Sequence, residues 1–158
     1  MIEDNQGQFY KVAYAYVKNR EDALDILHNA IVKALQSCRT LRNPASARCW
    51  FYKVLTNESI SFLRRDRKVI PLEDVPEPAL PAAGDLPDIH RDEYIDLYTA
   101  IDKLPPDLKT LVILRYFEGM KLEEVASITS TNLNTVKSRL RRALQRLKLD
   151  MEVVGCNE

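Results

Sequence analysis

An acidic, proline-rich stretch at residues 69–92 is the feature that most constrains how this 158-residue chain can fold. It contains five of the eight prolines, and residues 69–96 carry eight acidic side chains against a single arginine. Such a composition cannot bury enough apolar surface to form a packed core. We therefore predict a flexible linker here, between one domain at 1–68 and a second at 93–150, with a short tail at 151–158.

On both sides of this linker, apolar residues recur at three- and four-residue steps, the spacing of amphipathic helices. Three such stripes in the first domain begin at Phe9, Leu24 and Phe51. The last two are separated at Asn43, which precedes a proline and is disfavoured in helical geometry. The chain has only four glycines. The sequence thus predicts an all-α fold of two small helical domains, the first a three-helix bundle.

The last helix of the second domain has two different faces. Its apolar residues share an arc of about 100°, the width of a core-facing stripe: Leu133, Val136, Leu140, Ala143, Leu144 and Leu147. Residues 131–149 carry six basic side chains and no acidic one. A shorter apolar helix from Leu122 precedes it, and Asn132 is a good N-cap residue. This order predicts a helix-turn-helix whose last helix contacts DNA; the alternative is a solvated cationic helix end.

The charge of the chain is segregated although its net charge is zero. Residues 48–68 carry six basic groups against two acidic ones, and the terminal helix is the second basic segment. The acidic linker lies between them. Two basic segments around an acidic connector indicate two contacts with one polyanion.

No set of side chains in this sequence is arranged for catalysis or metal binding. His28 and His90 lie in unrelated places, and there is neither a glycine-rich phosphate loop nor a nucleophile with a neighbouring base. Cys38, Cys49 and Cys156 show no Cys-x-x-Cys pairing, so a redox role is the less favoured reading. We predict a protein that is not an enzyme, needs no metal or cofactor and does not insert into a membrane.

Two groups of motifs, one in each domain, resemble a known family. The second domain has Leu-Pro-Pro-Asp-Leu at 104–108, Leu-Arg-Tyr-Phe-Glu-Gly at 114–119, Glu-Glu-Val-Ala at 123–126 and Thr-Val-Lys-Ser-Arg at 135–139. The first domain has Ala-Leu-Asp-Ile-Leu-His at 23–28, Cys-Trp-Phe-Tyr-Lys-Val-Leu-Thr-Asn at 49–57 and Phe-Leu-Arg-Arg at 62–65. In this order they resemble regions 4 and 2 of the extracytoplasmic-function (group IV) sigma factors of bacterial RNA polymerase, a branch of the sigma-70 family.

The resemblance implies an alternative sigma factor that binds core RNA polymerase and directs promoter recognition, promoter melting and transcription initiation. The second domain would bind the −35 element through its last helix, with these candidate residues: Asn134, Thr135, Lys137, Ser138, Arg139, Arg141, Arg142 and Arg146. Lys137, Ser138 and Arg141 share the outward face and are the candidates for base edges. The other arginines lie further round the helix, where phosphates are expected.

The first domain would bind the −10 element. The candidates implied for this contact are Leu41, Arg42, Asn57, Arg64, Arg65, Arg67 and Lys68. In the family, a loop and an asparagine hold a flipped base, and Leu41 and Asn57 could supply a stacking surface and a reading amide. The four cations would meet phosphates. The alternatives are a local backbone hydrogen bond for Asn57 and a solvated helix end for the cations, while Trp50 is expected to be buried.

The second helix would dock on the coiled coil of the polymerase β′ subunit. The candidate residues are Asp25, Ile26, His28, Asn29 and Val32, although an ordinary exposed helix face would have the same pattern. By resemblance the other partners are the polymerase β flap, promoter DNA and an anti-sigma factor, and the protein would be cytoplasmic. The competing function is a stand-alone helix-turn-helix regulator with an N-terminal dimerisation or sensing bundle. A pure protein-interaction bundle is disfavoured by the acid-free terminal helix.

Overall fold

The computed structural model describes residues 2–69, 97 and 99–155, with side chains for 2–66, 97 and 99–150. The chain divides into two compact units, Met1–Pro81 and Ala82–Glu158. Every regular element among the described residues is helical, so the predicted all-α class is confirmed. The predicted flexible linker lies, beyond Val69, outside the described residues, and the domain boundaries remain a prediction.

The first unit is built from three helices, as predicted. These are α1 (Gln6–Val17), α2 (Arg20–Ser37) and α3 (Ala47–Val69), and each packs against the other two. Short 3₁₀ turns occupy Glu3–Asn5, Cys38–Thr40 and Pro44–Ser46.

Local hydrogen bonds explain where these helices begin and end. Lys18 has a left-handed backbone (φ 52°) and ends α1. Asn19 then caps α2, its Oδ1 accepting a hydrogen bond from the Glu21 N–H at 2.9 Å. Asn43 is extended before Pro44, as the sequence predicts, and its side chain accepts from the N–H of Ala45 at 3.0 Å.

An aromatic cluster occupies the centre of the first unit. The ring centroids of Phe9 and Phe51 are 4.5 Å apart, and those of Phe9 and Tyr52 are 5.1 Å apart in an edge-to-face arrangement. All three side chains are fully buried. Trp50, the only tryptophan of the chain, is half-buried in α3, so the expected burial is only partial.

The buried face of α2 differs from the predicted one. Leu35, which the apolar stripe assigns to the core, is 64% exposed, whereas Ile26, assigned to a docking surface, is 1% exposed. Both predictions were wrong for one reason. The buried face includes Ala23, Ala30 and Ala34, and it is rotated by roughly 75° from the stripe of larger residues. Alanines allow neighbouring helices to approach closely, so they lie at the centre of the contact.

The second unit contains the predicted helix-turn-helix. Residues 99–102 are helical, and α4 (Pro106–Val112) follows and continues into a π-helical turn at Ile113–Phe117. Gly119 ends this segment with a φ of +63°, as expected for a glycine stop. Two helices remain, α5 (Leu122–Thr129) and α6 (Leu133–Gly155). Both α4 and α5 pack on α6.

The apolar stripe of α6 largely faces the core. Four of its members are buried: Val136, Leu140, Ala143 and Leu147. Leu133 is half-buried, and Leu144 is 41% exposed against the prediction. Leu133 and Leu144 lie at one edge of the arc, about 60–80° from Val136, where the contact with α4 and α5 ends.

Candidate nucleic-acid interface

The turn between α5 and α6 is held by hydrogen bonds on both sides. Thr131 N–H donates to the Ala126 carbonyl at 3.0 Å, and Ser130 adopts a left-handed backbone (φ 51°) that ends α5. Asn132 Oδ1 accepts from the Asn134 N–H at 2.8 Å and caps α6, as predicted. The direction in which α6 leaves the turn is therefore fixed by local contacts.

A second set of hydrogen bonds fixes the start of α5. The Arg115 guanidinium donates to the Met120 carbonyl at 2.8 Å, and Met120 N–H donates to the Leu114 carbonyl at 3.1 Å. The Glu124 carboxylate accepts from the Lys121 N–H at 2.9 Å, in the manner of a capping box. These contacts attach the helix-turn-helix to the end of the π-helical turn.

The outward face of α6 is cationic and accessible. Of the eight candidate residues, six are exposed: Asn134, Lys137, Ser138, Arg141, Arg142 and Arg146. Thr135 and Arg139 are half-buried. Ser138 Oγ donates to the Thr135 carbonyl at 3.0 Å, which leaves its lone pairs to accept from a base. The helix therefore presents the group types that a major groove requires, and the individual roles stay predictions.

The candidate −10 residues are distributed over the loop at 41–46 and α3. Leu41 is half-buried and Arg42 is exposed. Asn57 is exposed too, and its side chain makes no hydrogen bond within the described part of the chain. The local backbone bond that was its alternative reading is therefore not formed among these residues. Arg64 is exposed near the end of α3, whereas the side chains of Arg67 and Lys68 lie outside the described residues.

The candidate polymerase residues of α2 form an exposed surface, with one exception. Asp25, His28, Asn29 and Val32 are exposed, whereas Ile26 is buried between the helices and cannot contact a partner. A groove of about 400 Å³ between α2 and α3 is lined on the α2 side by Asp25, His28 and Asn29. Its other lining residues are Phe62, Arg65 and Asp66 of α3.

An ion pair between α2 and α3 was not predicted from the sequence. The Glu58 side chain is only 6% exposed, and one of its carboxylate oxygens contacts Lys33 Nζ. The sequence does indicate a buried carboxylate, because Glu58 lies at helical spacing between Leu55 and Phe62. It is the charged member of an apolar stripe. This pair attaches the helix with Asn57 to the helix with the candidate polymerase residues.

Carboxylates cluster where the start of α2 meets the end of α3. Partial burial raises the pKa of Asp22, and the nearby carboxylates of Asp66, Asp25 and Glu21 raise it further. The ionised form of Asp22 is therefore less favourable in the folded protein than in the unfolded chain. Its destabilising effect develops as the pH rises above the ordinary value of 3.8 and is fully present at neutral pH.

Replacing Asp22 with asparagine should consequently stabilise the first unit at pH 7, by less than about 1 kcal/mol because the carboxyl is only half-buried. The gain should shrink as the pH falls towards the ordinary value of 3.8 and vanish only well below it, where the carboxyl is protonated in both states. Urea unfolding followed by Trp50 fluorescence at pH 4 and pH 7 measures it. A gain that is equal at both pH values would contradict this cause.

Among the helices of the described residues, none is both long and apolar enough to cross a membrane. The same residues contain no group of three or more His, Cys, Asp or Glu side chains placed to hold a metal ion.

The fold and its cationic surfaces define a DNA-binding protein built from two helical units. Residues 1–69 match the family described as Sigma-70 region 2, and residues 94–147 match Sigma-70, region 4. RNA polymerase sigma factor SigV of Bacillus subtilis (strain 168) is 45% identical over 150 residues, covering 95% of this chain and 88% of SigV. The chain belongs to the extracytoplasmic-function group of the sigma-70 family of RNA polymerase sigma factors.

One further relative agrees with this membership, and a solved structure shares the fold. ECF RNA polymerase sigma factor SigE of Mycolicibacterium smegmatis is 29% identical over 153 residues, covering 94% of this chain and 59% of SigE. Among solved structures, the sigma factor RpoE in complex with the anti-sigma factor NepR, from Bartonella quintana, has a similar fold. Its TM-score is 0.72 at 23% identity, over 96% of this chain and 94% of RpoE.

Proposed function

We propose that this chain is an alternative sigma factor that binds core RNA polymerase and directs promoter recognition, melting and transcription initiation. The observation that carries the proposal is the match to region 2 and region 4 in one chain, in that order. A stand-alone helix-turn-helix regulator would not need the region 2 unit. The chain supplies recognition, the polymerase performs RNA synthesis, and the protein therefore acts in the cytoplasm without being an enzyme itself.

In this proposal α6 enters the major groove of the −35 element. A helix fits the groove, which is about 12 Å wide. The exposure of Lys137, Ser138 and Arg141 supports their role at base edges. Phosphate contacts then come from Arg139, Arg142 and Arg146, and they fix the position of the helix along the groove.

The first unit binds the −10 element and opens it. Extracting a base from the duplex costs a few kcal/mol, which a stacking surface and a polar reader offset. The half-buried Leu41 offers apolar surface, and the exposed Asn57 offers an amide free to pair with a base edge. Arg42 and Arg64 contribute phosphate contacts that stabilise the single strand.

The protein partners follow from the same assignment. Asp25, His28, Asn29 and Val32 dock on the β′ coiled coil of core polymerase, and the region 4 unit contacts the β flap. RpoE, whose fold is similar, forms a complex with the anti-sigma factor NepR. We infer that an anti-sigma factor likewise regulates this chain by covering its DNA-binding surfaces.

Run-off transcription with purified core polymerase on genomic fragments tests the proposal. We expect discrete transcripts that require both the chain and core enzyme. The Asn57→Ala variant should bind core polymerase normally and reduce open-complex formation about tenfold, as the loss of one reading contact implies. Binding of the chain alone, as a dimer, to a symmetric site without any transcript would instead support the regulator.

A further inference from the structure

Arg64 and Arg65 are adjacent in sequence, but they face different surroundings. Successive residues of a helix are about 100° apart, so Arg64 lies about 20° from Asn57 round α3, and Arg65 about 80° from it. Both side chains are exposed. Arg65 lines the groove between α2 and α3, on the side of the helix that faces α2. The family resemblance implies a phosphate contact for both arginines alike.

The surroundings of Arg65 are unfavourable for a DNA backbone. Asp25 and Asp66 line the same groove. Asp22 lies close enough to both carboxylates that they raise its pKa. Two carboxylates against one guanidinium leave the lining of this groove with a net negative charge, which disfavours an approaching phosphate.

The same groove suits a polypeptide of mixed charge. The Arg65 guanidinium can hold a carboxylate through two parallel hydrogen bonds, and Asp25 and Asp66 can accept from cationic side chains. Phe62 is half-buried and adds apolar contact area to the groove. Asn29 and His28 belong both to this groove and to the α2 surface proposed for core polymerase. The groove is therefore continuous with that surface.

We propose that Arg65 belongs to the polymerase-docking surface, which extends from α2 across the groove onto α3, while Arg64 contacts the promoter backbone. The occupant of the groove is a charged helical segment of core RNA polymerase. This inference rests on the proposed function, because it assumes that the chain binds core enzyme at all.

Two single substitutions in the full chain, Arg65→Ala and Arg64→Ala, make a matched pair. Each removes one exposed guanidinium from neighbouring positions of one helix, and equal thermal unfolding by circular dichroism verifies that both fold. Fluorescence anisotropy of the labelled chain measures its affinity for purified core polymerase without DNA. We expect Arg65→Ala to weaken this affinity about 5- to 10-fold and Arg64→Ala to change it less than about twofold.

Promoter binding by the assembled holoenzyme at several salt concentrations provides the second readout. Arg64→Ala should reduce the magnitude of the slope of log K against log salt by about 0.7, the value for one phosphate contact with a single strand, whereas Arg65→Ala should leave the slope unchanged. Arg65→Lys, which keeps the charge without the planar fork, should recover part of the core affinity.

Normal core affinity in Arg65→Ala, or a salt slope lowered as much as in Arg64→Ala, would overturn the assignment of Arg65. Failure of the unsubstituted chain to bind core enzyme would overturn the proposed function instead. The two failures are therefore distinguishable in one set of measurements.

Discussion

Replacement of Arg141 by alanine should weaken binding of the holoenzyme to its −35 element by about 5- to 150-fold. A bidentate contact between an arginine and a guanine is worth about 1–3 kcal/mol, and Arg141 is exposed on α6 one turn beyond Lys137. The loss of affinity should depend on the identity of only one or two base pairs. A library of promoters with all substitutions in that element, assayed by holoenzyme binding, should show a relaxed preference at those pairs.

Arg142→Ala is the matched control. It removes the same group from the next position, also exposed but about 100° further round the helix. We expect it to weaken binding to all sequences alike. The decrease of log K with log salt should become shallower by about 0.9, the value for one phosphate contact on duplex DNA. If Arg142→Ala changed the base preference and Arg141→Ala changed only the salt slope, the proposed roles of the two residues would be reversed.

The helix-turn-helix could be predicted from the sequence because its signals are local. The Asn132 cap needs only the backbone N–H of the residue two positions later. The helix end at Gly119 needs only the freedom of glycine to adopt a positive φ. Such features do not depend on how distant parts of the chain pack. The exposed face of α6 follows likewise, because an acid-free set of cations opposite an apolar stripe has one favourable orientation.

The orientation of α2 could not be predicted in the same way. Its large apolar residues and its alanines favour two different buried faces, and the choice depends on the surfaces of α1 and α3. The structure buries Ala23, Ala30 and Ala34, which removes Ile26 from the candidate docking surface and exposes Leu35. A prediction that weights residues by size alone therefore fails where close helix contact favours small side chains.

The same limit applies to charged residues inside a helix contact. Glu58 lies in the apolar stripe of α3, but only the packed structure reveals that Lys33 of α2 reaches it. A buried carboxylate is expensive unless a counter-charge and hydrogen bonds accompany it. The two positions are 25 residues apart, which is why no local pattern connects them.

Removal of Lys33 should therefore destabilise the first unit strongly. We expect Lys33→Met to cost about 2–3 kcal/mol, because it leaves the Glu58 carboxylate buried without its cation. The cost should be below the ~3–5 kcal/mol of fully enclosed pairs, since Lys33 is 57% exposed and water can enter the space it leaves. Urea unfolding at pH 7, followed by the fluorescence of Trp50 in α3, measures this change in the same unit.

The double variant Lys33→Met/Glu58→Met separates the charge from the packing. Two apolar side chains of similar length can occupy the same space without an unpaired charge, so the double variant should recover most of the lost stability. Equal losses in the single and the double variant would mean that the aliphatic stem of Lys33, rather than its charge, stabilises the contact. A third outcome is a double variant that regains stability and still opens promoters less well than the unsubstituted chain does. That result would mean that the ion pair also holds Asn57 in position relative to the polymerase-facing surface of α2, beyond its contribution to folding.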